Sequence, residues 1–131
     1  PLLPRVLEVL LPRPLVVAAL RRAYGEPARI DATRVDRHYE LMLREGNRQA
    51  FVQRFRQREA GRDAARLREL KLPTLILWGD RDRLLPPAHA KQFQDAIAGS
   101  QRVVFDGLGH MPQEEDALRS AEPVGRFLAP R

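Results

Sequence analysis

The sequence has no cysteine and only two lysines, Lys71 and Lys91, in 131 residues. A chain without cysteine forms no disulfide, offers no thiolate to a metal and has no thiol nucleophile. Its three histidines, His38, His89 and His110, are too far apart in the sequence to indicate a pair of metal ligands. We therefore expect no metal site.

Apolar runs of membrane-spanning length are also missing. The most apolar segment, residues 1–20, is interrupted by charged residues and by Pro4, Pro12 and Pro14. These breaks leave it short of the roughly 20 apolar residues that a membrane span needs. We predict that this segment forms short helices that pack through one apolar face, rather than a signal peptide or a stable membrane span.

Positive charge is abundant, and arginine supplies nearly all of it, with a formal net charge of +6. Clustered arginines would favour a nucleic-acid partner, because they displace counterions from phosphates. Here the arginines stand singly among Glu, Asp and Gln, and aromatic residues make up only 6% of the chain. This pattern is typical of solvated helix faces, so we expect no nucleic-acid partner.

The chain has the length of one domain, and its first residue is Pro1 rather than methionine. We expect it to be part of a longer protein. Residues 1–70 carry helix signals without a convincing strand. Pro14 suits the first turn of a helix that stops at Gly25.

Three more helices are predicted in this first part. Asp31 or Thr33 can cap the second one, and Thr33 and Asp36 have the spacing of a capping box. Asn47 can cap the third helix, and the segment AARLREL predicts a short fourth one. Residues 1–70 are therefore interpreted as a helical module.

The pattern changes at Pro73. TLILW is a continuous apolar run of strand length, typical of a parallel sheet that is buried on both faces. A helix from near Pro87 separates it from a second strand, QRVVF, and a last helix is predicted from about Glu114 to Leu128. The residues of the intervening helix that are predicted to point inward are Ala90, Phe93 and Ile97. Residues 71–131 thus form a βαβα module with parallel strands.

Both predicted strands end in polar loops. Asp80 and Asp82 follow the first strand, and His110 follows the second. Because parallel strands end at the same edge of a sheet, an aspartate and this histidine are expected to meet there. A carboxylate that holds one imidazole nitrogen leaves the other nitrogen able to accept a proton. This pairing predicts the acid and base of a catalytic triad.

Two sequence patterns around these residues resemble the C-terminal end of the α/β-hydrolase superfamily. The first pattern, W-G-x-x-D-x-x-x-P, is matched by Trp78, Gly79, Asp82 and Pro86. The second pattern, G-x-G-H-x-x-x-x-E, is matched by Gly107, Gly109, His110 and Glu115. The resemblance covers residues 70–128 well. It covers the helical first part more loosely, where this family often inserts a lid.

The resemblance implies roles for several of these residues. Asp82 would be the catalytic acid and His110 the general base. Asp80 falls at a variable position and is interpreted as a turn residue that hydrogen-bonds within its own loop. Gly79 and Gly109 are interpreted as points where the backbone turns sharply.

A nucleophile is the missing part of the predicted triad. The family carries it on a Gly-x-Ser-x-Gly turn, and neither Ser100 nor Ser120 has such glycines. In the family order of nucleophile, acid and base, the nucleophile is therefore expected upstream of Pro1. It would be serine, or aspartate as in relatives that resemble epoxide hydrolases and haloalkane dehalogenases.

The resemblance implies an α/β fold: two strands and flanking helices from the C-terminal part of a parallel sheet, preceded by a helical lid. The expected function is a fragment of an esterase-like hydrolase, inactive as an isolated chain and without a cofactor. Its expected partners are a small hydrophobic ester-like substrate and the missing N-terminal half. The alternative is a non-catalytic binding module.

The lid and the last helix carry two further expectations. The apolar lid residues that would pack in the core or cover the substrate pocket are Leu15, Val16, Tyr39, Met42, Phe51 and Phe55. In the last helix, this chain departs from the family pattern by placing Pro123 in the interior. Proline removes one backbone hydrogen bond there and is predicted to kink or split the helix.

Overall fold

The structure is a computed structural model that describes residues 12–57, 61 and 64–130. Short helices are predicted for residues 1–20; of these, residues 1–11 lie outside the described residues, and the rest contribute the first part of α1. The α-helices are α1 (Arg13–Ala23), α2 (Ala32–Leu43), α3 (Asn47–Arg56), α4 (Ala88–Ala96), α5 (Pro112–Glu115) and α6 (Ala117–Leu128). The strands are β1 (Leu75–Gly79) and β2 (Gln101–Phe105), and short 3-10 helices cover Pro27–Arg29 and Ala65–Glu69. Within the described ranges, every helix is too short or too polar to span a bilayer.

The chain divides into two compact units. The first contains Pro1–Arg21 and Ile30–Gly61, and the second contains Arg22–Arg29 and Arg62–Arg131. The end of α1 and the residues after it therefore belong with the strands, within a stretch that the sequence assigns to the helical module. The interpretation of residues 1–70 as a lid stays a prediction.

In the first unit, Asp31 is the N-cap of α2. Its backbone is extended, and its carboxylate accepts a hydrogen bond of 2.7 Å from the N–H of Arg34. This bond lowers the pKa of the Asp31 carboxyl below its usual value. Thr33 lies inside the helix instead, so the capping box with Asp36 does not form. Asp36 pairs with the exposed guanidinium of Arg13.

The junction of α2 and α3 differs from its prediction. Asn47 is the first residue of α3, and its side-chain amide donates to the carbonyl of Leu41 at 2.6 Å. It therefore satisfies the C-terminal end of α2, where carbonyl groups lack helical partners, instead of capping α3. Gly46 makes the turn between the helices with a φ of 79°.

The helices of the first unit bury few apolar side chains. Val16, Val35 and Val52 are buried, whereas Leu15 and Phe51 are both 49% exposed. Tyr39 and Met42 are half-buried. The side chain of Phe55 lies outside the described residues. The predicted apolar stripes thus contribute small buried anchors, and several of their large members face solvent.

In the second unit, the two predicted strands are present and parallel. Their register pairs Leu75 with Gln101 and Gly79 with Phe105. In β1 Ile76 is buried, but other residues of the strand are only half-buried. The predicted burial of β1 on both faces is thus incomplete. Among the described residues, β1 pairs with β2 alone. The predicted fourth helix, AARLREL, forms a short 3-10 helix before β1.

Helix α4 connects the two strands and covers one face of the sheet. Ala90 and Ile97 are buried as predicted, while Phe93 is 36% exposed. The ring of Phe93 lies 6.0 Å from that of Trp78 in β1, which fixes the helix against the strand. Gly99 turns the chain into β2 with a φ of 76°.

The last helical stretch is divided, but not at the predicted place. Asp116 leaves the helical conformation between α5 and α6, and its side chain accepts a hydrogen bond from the N–H of Arg119 at 3.1 Å. It thereby caps α6. Helix α6 then continues through the buried Pro123. The predicted split at this proline is wrong, because the helix runs through Pro123 and the loss of one backbone hydrogen bond does not end it.

Candidate active site

Asp82 and His110 lie in the loops that follow β1 and β2, at the edge where both parallel strands end. Oδ2 of Asp82 and Nδ1 of His110 are 2.8 Å apart. The contact that the sequence predicts between these two side chains is therefore present. Their catalytic roles stay a prediction.

The two members of this pair differ in exposure. The side chain of Asp82 is 3% exposed, and that of His110 is 36% exposed. An ionised carboxylate can only accept hydrogen bonds, so Nδ1 of the imidazole carries the proton that joins them. Among the hydrogen bonds of the described residues, none involves Nε2 of His110. This second nitrogen is thus free to accept a proton at the solvent side of the pair.

The loop after β1 is shaped by Asp82 itself. Its Oδ1 accepts hydrogen bonds from the N–H groups of Leu84 and Leu85, at 2.8 and 2.9 Å. The indole N–H of Trp78 donates to the carbonyl of Leu85 at 3.3 Å and closes the same loop. One oxygen of Asp82 therefore holds its own turn, and the other faces His110.

Asp80 has a different partner from the predicted one. Its Oδ1 accepts a hydrogen bond of 2.7 Å from the N–H of Gly107, in the loop after β2. Gly107 has a φ of 79°, a conformation that suits glycine. The interpretation of Asp80 as a residue that bonds within its own loop is wrong, because it joins the two loops instead. The backbone adds a second link, from the N–H of Arg81 to the carbonyl of Leu108 at 2.9 Å.

Gly79 and Gly109 are needed for close approach and not for a sharp turn. Neither of these two glycines has a positive φ. A Cβ at Gly79 would overlap the carbonyl oxygens of Leu108 and Gly109, and one at Gly109 would overlap backbone atoms of Ala23 and Gly25. Three stretches of backbone thus pass each other at a distance that no larger residue permits.

The segment after α1 is the part of the site that the sequence did not reveal. The N–H of His110 donates to the carbonyl of Ala23 at 2.6 Å. Glu115, which is 6% exposed, accepts hydrogen bonds from Gly25 and Gly109. The position of Glu115 in the second sequence pattern was a signal for a role in this loop. No pattern pointed to Ala23 or Gly25.

Two cavities adjoin His110. One has a volume of about 350 Å³ and the other about 190 Å³. Leu77 and Pro112 line both, and Asp82 lines the smaller one. The remaining residues that line the larger cavity are Gln113, Ala117, Ser120, Ala121 and Val124. His110 therefore borders a mostly apolar space.

Neither serine is presented as a nucleophile. Ser120 is buried inside α6, and its hydroxyl donates to the carbonyl of Ala117 at 3.2 Å. The hydroxyl of Ser100 lies 3.5 Å from the carbonyl of Gln94 at the end of α4. Among the described residues, no group of three or more metal-ligating side chains could hold an ion.

Comparison with known proteins identifies the family. Residues 13–117 match the family described as alpha/beta hydrolase fold. A hydrolase of Escherichia coli, named for 2-hydroxy-6-oxononadienedioate and 2-hydroxy-6-oxononatrienedioate, is 41% identical over 64 residues, which is 49% of this chain and 22% of that protein. An uncharacterized protein of Mycobacterium tuberculosis is 40% identical over 57 residues, which is 44% of this chain and 17% of that protein.

Solved structures with the same architecture extend the likeness over most of the chain. A serine hydrolase involved in carbazole degradation, the CarC enzyme, superposes with a TM-score of 0.80 at 26% identity, over 89% of this chain and 47% of that one. The meta-cleavage product hydrolase CumD from Pseudomonas fluorescens gives a TM-score of 0.75 at 20% identity, over 93% and 47%. This chain spans about half the length of these relatives. It belongs to the α/β-hydrolase family.

Proposed function

We propose that Asp82 and His110 are the acid and the general base of a hydrolase that acts on an ester or a related acyl substrate. The observation that carries this proposal is the 2.8 Å contact between the buried carboxylate of Asp82 and the imidazole of His110, whose other side is open. A solvated turn would leave the aspartate exposed and without such a partner. The nucleophile would lie upstream of Pro1.

The proposed chemistry follows from this geometry. Nε2 of His110 takes the proton from the nucleophile hydroxyl, whose oxygen attacks the substrate carbonyl carbon. Asp82 stabilises the imidazolium that forms, and His110 then returns the proton to the leaving group. Water then attacks the acyl-enzyme carbonyl and gives a proton to Nε2 of His110. His110 returns this proton to the nucleophile oxygen as its bond to the acyl group breaks and the acid product leaves.

The cavity beside His110 supports a small and largely hydrophobic substrate, because Leu77, Pro112 and Val124 supply much of its lining. Within the family, the E. coli relative is named as a hydrolase of 2-hydroxy-6-oxononadienedioate and 2-hydroxy-6-oxononatrienedioate, and CarC as a serine hydrolase. We therefore propose serine as the upstream nucleophile. The substrate bond would be an ester or a carbon–carbon bond next to an activated carbonyl.

The N-terminal half of the same protein is the proposed partner of this chain. Among the described residues, β1 and β2 pair only with each other, and a sheet of two strands is marginal by itself. Upstream strands would extend the sheet and shield its edge. The isolated chain is accordingly expected to associate and to lack activity. A monodisperse, cooperatively melting monomer would favour a non-catalytic binding module instead.

The test is kinetic and uses the protein produced together with the sequence that precedes Pro1 in its reading frame. The Asp82→Asn and His110→Ala variants are compared with the parent on a p-nitrophenyl ester and on a 2-hydroxy-6-oxo dienoate. We expect kcat/KM to fall by on the order of 10³ to 10⁴ in both variants.

The matched control is Asp80→Asn. It makes the same chemical change in the same loop, but Asp80 contacts Gly107 and not His110. Its amide oxygen can still accept that hydrogen bond, so we expect kcat/KM within a few-fold of the parent. Folded Asp82→Asn and His110→Ala proteins with parental activity on both substrates would overturn the proposal.

A further inference from the structure

A second buried carboxylate lies close to the proposed catalytic pair, but its hydrogen bonds go to neither member of it. Glu115, at the end of α5, is 6% exposed. Its Oε1 accepts a hydrogen bond of 2.7 Å from the N–H of Gly109, and its Oε2 accepts one of 2.8 Å from the N–H of Gly25. Each carboxylate oxygen therefore serves one backbone donor, and both bonds are buried.

The two donors belong to stretches of backbone that pass very close to each other. A Cβ at Gly25 would come within 2.5 Å of the carbonyl oxygen of Gly107 and within 2.8 Å of the nitrogen of Gly109. Glu115 lies between these stretches and joins them. Gly109 directly precedes His110 in the chain, so Glu115 binds the backbone one residue before the proposed base.

His110 is held from its own backbone as well. Its N–H donates to the carbonyl of Ala23 at 2.6 Å, two residues before the other donor to Glu115. Segment 23–25 therefore binds the His110 loop at two points, one direct and one through Glu115. The guanidinium of Arg29 donates to the backbone carbonyl of Glu115 at 2.9 Å and ties the end of α5 to the 3-10 helix that follows this segment.

A carboxylate suits this position for a definite chemical reason. Burying a charged group is costly unless hydrogen bonds compensate it, and two converging N–H donors require two acceptors. A glutamine has one acceptor oxygen and would place its NH₂ group against the second N–H. Because Gln is almost the same size as Glu, replacing Glu115 by Gln removes one acceptor oxygen and leaves the packing nearly unchanged.

We propose that Glu115 is a positioning residue for His110. By fastening Gly109 to Gly25, it fixes the backbone that aims the imidazole, so that Nδ1 remains within hydrogen-bond distance of Asp82. The kinetic part of its test rests on the proposed function. The spectroscopic part depends only on the contact between Asp82 and His110.

The test compares Glu115→Gln with Glu114→Gln in the protein that includes its upstream sequence. Glu114 is the neighbouring residue and accepts from the hydroxyl of Tyr24 at 3.0 Å, a bond that a glutamine oxygen can keep. The spectroscopic measurement is the far-downfield proton resonance of the His110 Nδ1–H, assigned by its loss in His110→Ala. The kinetic measurement is kcat and KM separately, since a change of packing alone does not predict a selective fall in kcat.

We expect Glu115→Gln to weaken or abolish the resonance and to lower kcat by about 10- to 100-fold, as a misplaced catalytic group does, with KM changed less than about twofold. Glu114→Gln should leave both unchanged. A folded Glu115→Gln protein that keeps the resonance and the kcat of the parent would overturn the proposal.

A second variant covers the case in which Glu115→Gln does not fold. Glu115→Asp keeps both acceptor oxygens but is shorter by one methylene, so we expect an intermediate kcat and a shifted resonance. Parental values of both would also overturn the proposal. Failure of the proposed function is distinguishable from this outcome. It would appear as full activity in His110→Ala, while the resonance would still decide the role of Glu115.

Discussion

The loops after β1 and β2 carry the two members of the candidate pair, but they are held in opposite ways. The turn at residues 82–85 in the loop after β1 is held from within, because Asp82 accepts hydrogen bonds from Leu84 and Leu85, three residues or fewer away. The loop after β2 is held from outside. Its bonds go to Asp80, Glu115 and the carbonyl of Ala23.

Because of this difference, the two loops of the site depend on different parts of the sequence for their conformation. The acid loop builds its own turn, so its shape is encoded by a short stretch of sequence. The base loop contains Gly107 and Gly109 and has few side chains of its own with which to hold a shape. Its conformation depends on three other parts of the second unit. We therefore expect changes outside the base loop to disturb His110, whereas the acid loop responds mainly to changes within itself.

The largest effect is expected where the base loop touches the backbone of segment 23–25. A Cβ in Gly109→Ala would overlap Ala23 and Gly25, so the loop must move. In the protein that includes its upstream sequence, we predict a loss of about 3 kcal/mol in the free energy of unfolding, measured in urea.

The control for this change is Gly125→Ala. Gly125 lies in α6 with open space around the position of a Cβ. We predict a gain of about 0.5 to 1 kcal/mol, because alanine favours the helix. Equal effects of the two alanine substitutions on the free energy of unfolding would contradict the explanation that close backbone approach requires glycine at position 109.

The next effect tests whether the acid loop depends on its own carboxylate. Asp82→Ala removes the acceptor of the Leu84 and Leu85 N–H groups and should lower the free energy of unfolding by about 2 kcal/mol. Asp82→Asn keeps one acceptor oxygen for them and should lose less than half of that. Amide hydrogen exchange at Leu84 and Leu85 locates the loss, and unchanged exchange in Asp82→Ala would contradict a self-held loop.

A smaller effect is expected at Asp80, which holds the base loop from the acid loop. Asp80→Ala leaves the N–H of Gly107 without its acceptor and should cost about 1 kcal/mol. Amide exchange should accelerate at Gly107 and remain unchanged at Leu84. The opposite pattern would mean that Asp80 serves its own loop, as the sequence alone suggested.

The smallest effect concerns Asp31, which caps α2 much as Asp82 holds its own turn. Its pKa is lowered in the folded chain by the N–H of Arg34, so its contribution to stability is present above the unfolded pKa. The contribution is lost as the pH falls through the folded pKa. The difference in melting temperature between parent and Asp31→Ala should therefore be largest near neutral pH and vanish in acid. A difference that does not change with pH would contradict this.

The sequence predicted those features that depend on short-range patterns. TLILW and QRVVF predicted the two parallel strands, and strand-end placement together with the resemblance predicted the contact of Asp82 with His110. The sequence did not predict the partner of Asp80 or the reason for Gly79 and Gly109. Each of these depends on backbone from a distant part of the chain, and a pattern of residue types does not record which carbonyl or N–H lies opposite.

The segment after α1 also has a partner that its local sequence does not predict. Gly25 in this segment predicts the end of a helix, and α1 ends two residues earlier, at Ala23. That Gly25 gives its N–H to Glu115 follows only from the approach of two loops in space.

The catalytic account is tested most directly by a double-mutant cycle of kcat/KM with Asp82→Asn, His110→Ala and the combined variant, in the protein that includes its upstream sequence. If Asp82 acts through His110, the combined variant should be no slower than His110→Ala alone, because the carboxylate has nothing left to orient. Losses that multiply, or single variants with parental activity, would contradict a joint role for the two side chains.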